Sequence, residues 1–164
     1  MLLVVVLSAF GFFYLLNLRE EYRRENCRGK IECIYAAIMM YSADYGGQFP
    51  ASIQVLVDHN YLGMYLFTCP SVRRQRYSFE TAYNQIDYFY IYWPMGYRTP
   101  RDYPILLDSS INNHSGNGLN YATVGGEVKW SHCGRDIDEF IRVHPQFNRT
   151  LPDIHRTQGA SLQK

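Results

Sequence analysis

The first eighteen residues, MLLVVVLSAFGFFYLLNL, carry no charge. As a helix they rise about 27 Å, close to the roughly 30 Å hydrocarbon core of a bilayer. Their Leu, Val and Phe side chains contribute roughly −4 to −7 kcal/mol to insertion, against which Ser8, Gly11, Tyr14 and Asn17 subtract without adding charge. A signal peptide wants a basic start and a small-residue end, and neither pattern is present, so a membrane anchor at 1–18 is expected, lined by Leu3, Val6, Phe10, Phe13 and Leu16. Beyond it the helical period continues. Cys27, Ile31, Ile34, Ile38, Tyr41 and Tyr45 form one apolar stripe at alternating spacings of three and four. No proline falls between Met1 and Tyr45; Gly46-Gly47 offers a left-handed stop, and Pro50 bars resumption. A single rod is predicted, its 19–46 half needing something to cover the stripe.

The pattern then shortens. Ser52 is placed to cap a brief helix through Ile53, Val55, Leu56 and Val57, and Cys69-Pro70-Ser71 reads as a turn. Strand-like runs follow at 77–83, 86–93, 103–107, 119–124 and 127–130, with Gly125-Gly126 as a two-residue hairpin signal. Run 86–93 is apolar on both faces, which predicts a central strand. The expected fold is α+β: a long N-terminal helix on a small antiparallel sheet, the head spanning 47–133. A C-terminal extension at 134–164, with a weak helix at 136–142, is expected to be loosely held beyond His144.

Composition narrows the classes. The chain has 164 residues, with 16 Lys plus Arg against 15 Asp plus Glu, so no global charge argues for nucleic acid as a partner. Fifteen tyrosines favour strands and packed amphipathic surfaces. Arg19, Arg23, Arg24, Arg28 and Lys30 follow the anchor, and charge alone would put that flank in the cytoplasm.

Residues 24–50, RENCRGKIECIYAAIMMYSADYGGQFP, resemble the exposed stem of bacterial prepilin-type proteins that carry a His-to-Asp-Gly signature and are related to type II secretion pseudopilins. The likeness continues through Leu56, Tyr61-Leu62-Gly63, Cys69-Pro70-Ser71, residues 104–108, His114 and the closing segment GLNYATVGGEVKW. It implies a helix whose apolar half sits in the inner membrane and later in a filament core. The head would face the periplasm or exterior, with other pilin-like subunits, the assembly machinery and the bilayer as partners. That orientation outranks the charge rule. Departures are visible: the given sequence shows no basic leader, Gly-Phe cleavage site or helix glutamate, leaving open a shortened or an unprocessed chain. The hairpin reads Gly125-Gly126-Glu127 instead of Asp-Gly-His, and ten residues separate His114 from Gly125, one more than the family spacing.

Cys27 and Cys33 lie roughly 9 Å apart along one helix and cannot bridge each other. Cys69 with Cys133 is the leading disulfide pair and Cys33 with Cys69 its competitor. Zinc through Cys69, Cys133 and His132 lacks a Cys-x-x-Cys knuckle. Loop 108–118 is rich in oxygen ligands, and a weak calcium set of Asp108, Asn112 and Asn117 competes there with an ordinary surface turn. The same loop offers the second reading, an anchored extracytoplasmic binding module that does not polymerise. No esterase, phosphate-loop, dinucleotide or zinc-protease motif is present, so neither catalysis nor a resident cofactor is expected.

Overall fold

The computed structural model describes residues 2–71, 86–109 and 111–145, without the side chains of residues 2–7, 9, 111 and 112. Helix α1 (Leu2–Asp44) runs unbroken for 43 residues, about 65 Å. Its end is fixed as the glycine pair predicts: Gly46 and Gly47 take φ of 63° and 88°, and the Gly47 amide donates to the Ser42 carbonyl at 2.7 Å. Helix α2 (Ile53–Asp58) follows an extended Ser52, whose side chain makes no cap bond. Four antiparallel strands then form a meander in the order β1 (Tyr88–Tyr90), β2 (Pro104–Asp108), β3 (Gly118–Thr123), β4 (Val128–His132). Short 3-10 turns occupy Met64–Phe67, Gly96–Arg98 and Ile111–His114, and helix α3 (Arg135–Val143) closes the described chain. The architecture is α+β, a long helix against a four-stranded antiparallel sheet.

The stripe is what joins them. Cys27, Ile31, Ile34 and Ile38 are fully buried, in one core with Phe67, Ile105, Leu106, Leu107 and Leu119, and α1 packs chiefly on β3. Cover fades at the helix end. Tyr41 is half-buried, while Tyr45 is 42% exposed, stacked on Tyr41 at 4.1 Å and bonded to His59 Nδ1 instead of the sheet.

Two expectations about strands meet the described residues as follows. Run 86–93 is strand at Tyr88–Tyr90, flanked by the Ser109 amide on the Asp87 carbonyl and the Ile91 amide on the Ile105 carbonyl, and among the described residues β1 has β2 as its one strand neighbour. Its two-sided apolarity is used in part by contacts other than strands. Tyr88 and Tyr90 bond Cys27 Sγ and the Pro50 carbonyl, while Ile91 and Trp93 continue into the core, still bonded to the Ile105 and Pro104 carbonyls of β2. The β3–β4 connection is longer than a two-residue turn: the Gly126 amide donates to the Thr123 carbonyl and Thr123 to the Glu127 carbonyl. Only Gly126 needs positive φ, at 90°. Run 77–83, and the tail beyond residue 145, lie outside the described residues.

Among the described residues no helix is long and apolar enough to cross a membrane. The apolar run whose side chains are described, residues 10–18, is exposed, with Phe10 at 72%, Phe13 at 66% and Leu16 also open, and only near Asn17 does it border a groove with His114 and Trp130 of the described head. Leu3 and Val6 fall outside the described side chains.

Candidate functional site

Where the helix enters the head, four elements deliver one reactive side chain each. Cys27 comes from the α1 stripe and Cys69 from the turn after Met64–Phe67. Asp108 is the last residue of β2, and His114 the last of the 3-10 turn Ile111–His114. All four are buried, and one ligand atom from each lies within 4.8 Å of the others. Local bonds hold them there. The Cys69 amide donates to Asp87 Oδ2 at 2.7 Å, while the Asp87 amide donates to the Phe67 carbonyl, which sets the turn. The Asn120 amide of β3 donates to Asp108 Oδ2 at 2.8 Å, and Asn120 Nδ2 reaches the Arg24 carbonyl of α1.

Within the cluster, Cys27 Sγ donates to Asp108 Oδ1 at 2.9 Å and lies 3.2 Å from the Tyr88 hydroxyl. His114 Nε2 faces Asp108 Oδ2 at 3.2 Å and Cys69 Sγ at 3.7 Å. Its Nδ1 faces outward, to Ser71 Oγ at 3.0 Å and Glu20 Oε1 at 3.3 Å, and Ser71 also donates to Glu20. The Trp130 ring meets His114 edge-on at 5.5 Å and carries the Arg24 guanidinium at 4.9 Å.

Electrostatics sort the two thiols. The neighbouring Cys27 thiol lowers Cys69 most, burial opposes it and His114 assists, leaving Cys69 at about 6. Burial, with Cys69 and Asp108 beside it, drives Cys27 far up. Burial pushes His114 down, but the bonds to Asp108 and Cys69 overcome it and lift the imidazole to about 10. Cys69 and His114 thus tend toward a thiolate–imidazolium pair, as in an activated nucleophile. The thiol is nevertheless buried rather than open to the neighbouring groove. The groove beside it, about 220 Å³, is lined by His114, Glu20, Arg24, Asn117 and Trp130 among others, whereas Cys69 is 4% exposed and does not line it.

The sequence-derived sites fare unevenly. All four cysteines are free; Cys33 and Cys133 are exposed, so Cys69 faces neither proposed disulfide partner and sits beside Cys27 instead. The zinc set of Cys69, Cys133 and His132 is not assembled, because His132 is exposed and accepts from Trp130 Nε1. The calcium set is not gathered either. The Asp108 carboxylate is wholly buried on Cys27, His114 and Asn120, Asn117 is exposed, and the Asn112 side chain lies outside the described residues. Pro50 is buried after the α1 stop, Pro70 sits in the turn beside Cys69, and Gly125 and Gly126 occupy the β3–β4 connection. Cys27 is the member that periodicity hid, since a thiol on an apolar stripe reads as core packing. Comparison with family models, with curated proteins and with solved structures finds no match.

Proposed function

We propose that the chain is a pilin-like subunit, of a type IV pilus or type II secretion machine, that acts by assembly. On this reading residues 10–18 of α1, with the apolar residues before them, seat in the inner membrane or against the same segment of sister subunits. The head stands outside the cytoplasm. The observation that carries the proposal is the bare apolar run on a helix continuous with the head. Leaving a Phe or Leu exposed forgoes about 1.5–3 kcal/mol each, and Phe10, Phe12, Phe13, Leu15, Leu16 and Leu18 are all exposed. Lipid or a matching helix removes that cost. The resemblance of residues 24–50 to a pilin-like stem, and the α+β arrangement, support the same reading.

The binding-module alternative has less behind it. The groove near loop 108–118 is lined by groups that already bond one another, Glu20 with Arg23, Ser71 and His114, and Arg24 with Glu21 and Trp130. The test is crosslinking in membranes. Single cysteines placed at Phe10, Phe13 and Leu16, in a Cys33→Ser/Cys133→Ser background, are oxidised in cells. Disulfide-linked dimers in a membrane fraction resistant to carbonate are expected. Monomers at every position overturn assembly, and recovery in the soluble fraction overturns the membrane location.

A further inference from the structure

We propose that Cys27, Cys69, Asp108 and His114 together bind one zinc ion that ties the stem helix to the head. This goes beyond the assembly reading and does not depend on it. Two sulfurs, one imidazole nitrogen and one carboxylate oxygen are a donor set suited to tetrahedral zinc, and softer than calcium accepts. With zinc–sulfur bonds of about 2.3 Å and zinc–nitrogen or –oxygen bonds of about 2.0 Å, tetrahedral ligand atoms stand roughly 3.3–3.8 Å apart. The protein already holds Cys69 Sγ 3.7 Å from His114 Nε2, Nε2 3.2 Å from Asp108, and Cys27 Sγ 2.9 Å from Asp108. The last two distances are to Oδ2 and Oδ1 respectively, so one oxygen serves as the ligand; the Cys27–carboxylate edge opens by about half an ångström, and the wider pairs, all within 4.8 Å, close by up to about 1 Å.

The surrounding shell fits as well. Nε2 faces the cluster while Nδ1 meets the Glu20 carboxylate, the carboxylate–histidine–metal order that fixes an imidazole ligand. The Asn120 amide steadies Asp108, and the Tyr88 hydroxyl lies beside Cys27. Any protons on Cys27, Cys69 and Nε2 pass to solvent as the metal takes their place, so no redox partner is involved. Because the ligands come from α1, the turn at Cys69, β2 and the 3-10 turn, one ion crosslinks four elements. A Cys27–Cys69 disulfide is the competing fate of these thiols, and it removes two of the four ligands.

The full chain, purified in detergent and reduced, is stripped with chelator and titrated with Zn²⁺ or Co²⁺. One tight equivalent is expected, with a Co²⁺ spectrum showing tetrahedral bands and thiolate charge transfer. X-ray absorption at the zinc edge of the unsubstituted chain should report two sulfur and two lighter ligands. Cys33→Ser/Cys133→Ser keeps the site, Cys27→Ser/Cys69→Ser loses it, and Glu20→Gln weakens it roughly 10- to 100-fold. Absence of a tight equivalent after reduction, a sulfur-free coordination shell, or undiminished binding in Cys27→Ser/Cys69→Ser overturns the proposal. The X-ray measurement decides even where a substituted chain does not fold.

Discussion

Tyr61 donates its phenolic hydrogen to Asp44 Oδ2 across 2.5 Å, joining the segment after α2 to the last residue of α1. That bond, helped by burial and by the carboxylate charge, holds the phenol up at about 12 against an ordinary 10. A value raised in the folded chain means the bond is intact below the ordinary phenol range and is lost as pH rises through about 12. Ring-carbon NMR should show Tyr61 ionising later than an unbonded tyrosine, and Asp44→Asn should return it toward 10; an unchanged titration would show that the bond does not form. Such contacts are poorly legible in a sequence. Cys27 is predicted from its place on the stripe to be inside, and it is. That Asp108, 81 residues away, shares its pocket follows from where β2 ends against α1, which no local spacing encodes.

At the scale of elements, the long helix, its stop at Gly46-Gly47 and the β2, β3 and β4 segments were readable, because period and turn chemistry act over a few residues. The reach of the stripe was not. Periodicity runs evenly from Cys27 to Tyr45, whereas burial depends on how far the head extends along the helix. Ile34→Ala should therefore cost about 2–5 kcal/mol, and Tyr45→Ala about 1 kcal/mol for its lost stacking, in chemical denaturation followed by circular dichroism. Equal costs would mean that the head covers the helix end after all. The partners of β1 were hidden for a related reason: Tyr88 and Tyr90 look like central-strand residues, and among the described residues their hydroxyls bond Cys27 of α1 and the Pro50 carbonyl.

For the whole molecule, the division of labour along α1 makes the two halves separable. Phe13→Asp alters a side chain that is 66% exposed among the described residues, so head stability should stay within about 0.5 kcal/mol. The same change costs about 3 kcal/mol for insertion into a bilayer, and should move the chain out of the membrane fraction on sedimentation. A destabilised head, or unchanged fractionation, would contradict that separation. Mechanically, a bar gripped along only one end is a lever. Phe10 to Phe13 are exposed, the first bonds from α1 to the described head are those of Glu20 to Ser71 and His114, and the first fully enclosed described side chain is Cys27. A sideways push on the exposed end therefore pivots over Glu20 to Cys27, and the torque falls on the carboxylate, imidazole and sulfur contacts gathered there. A pull along the bar is shared instead by the whole row from Cys27 to Ile38, and the fulcrum is spared.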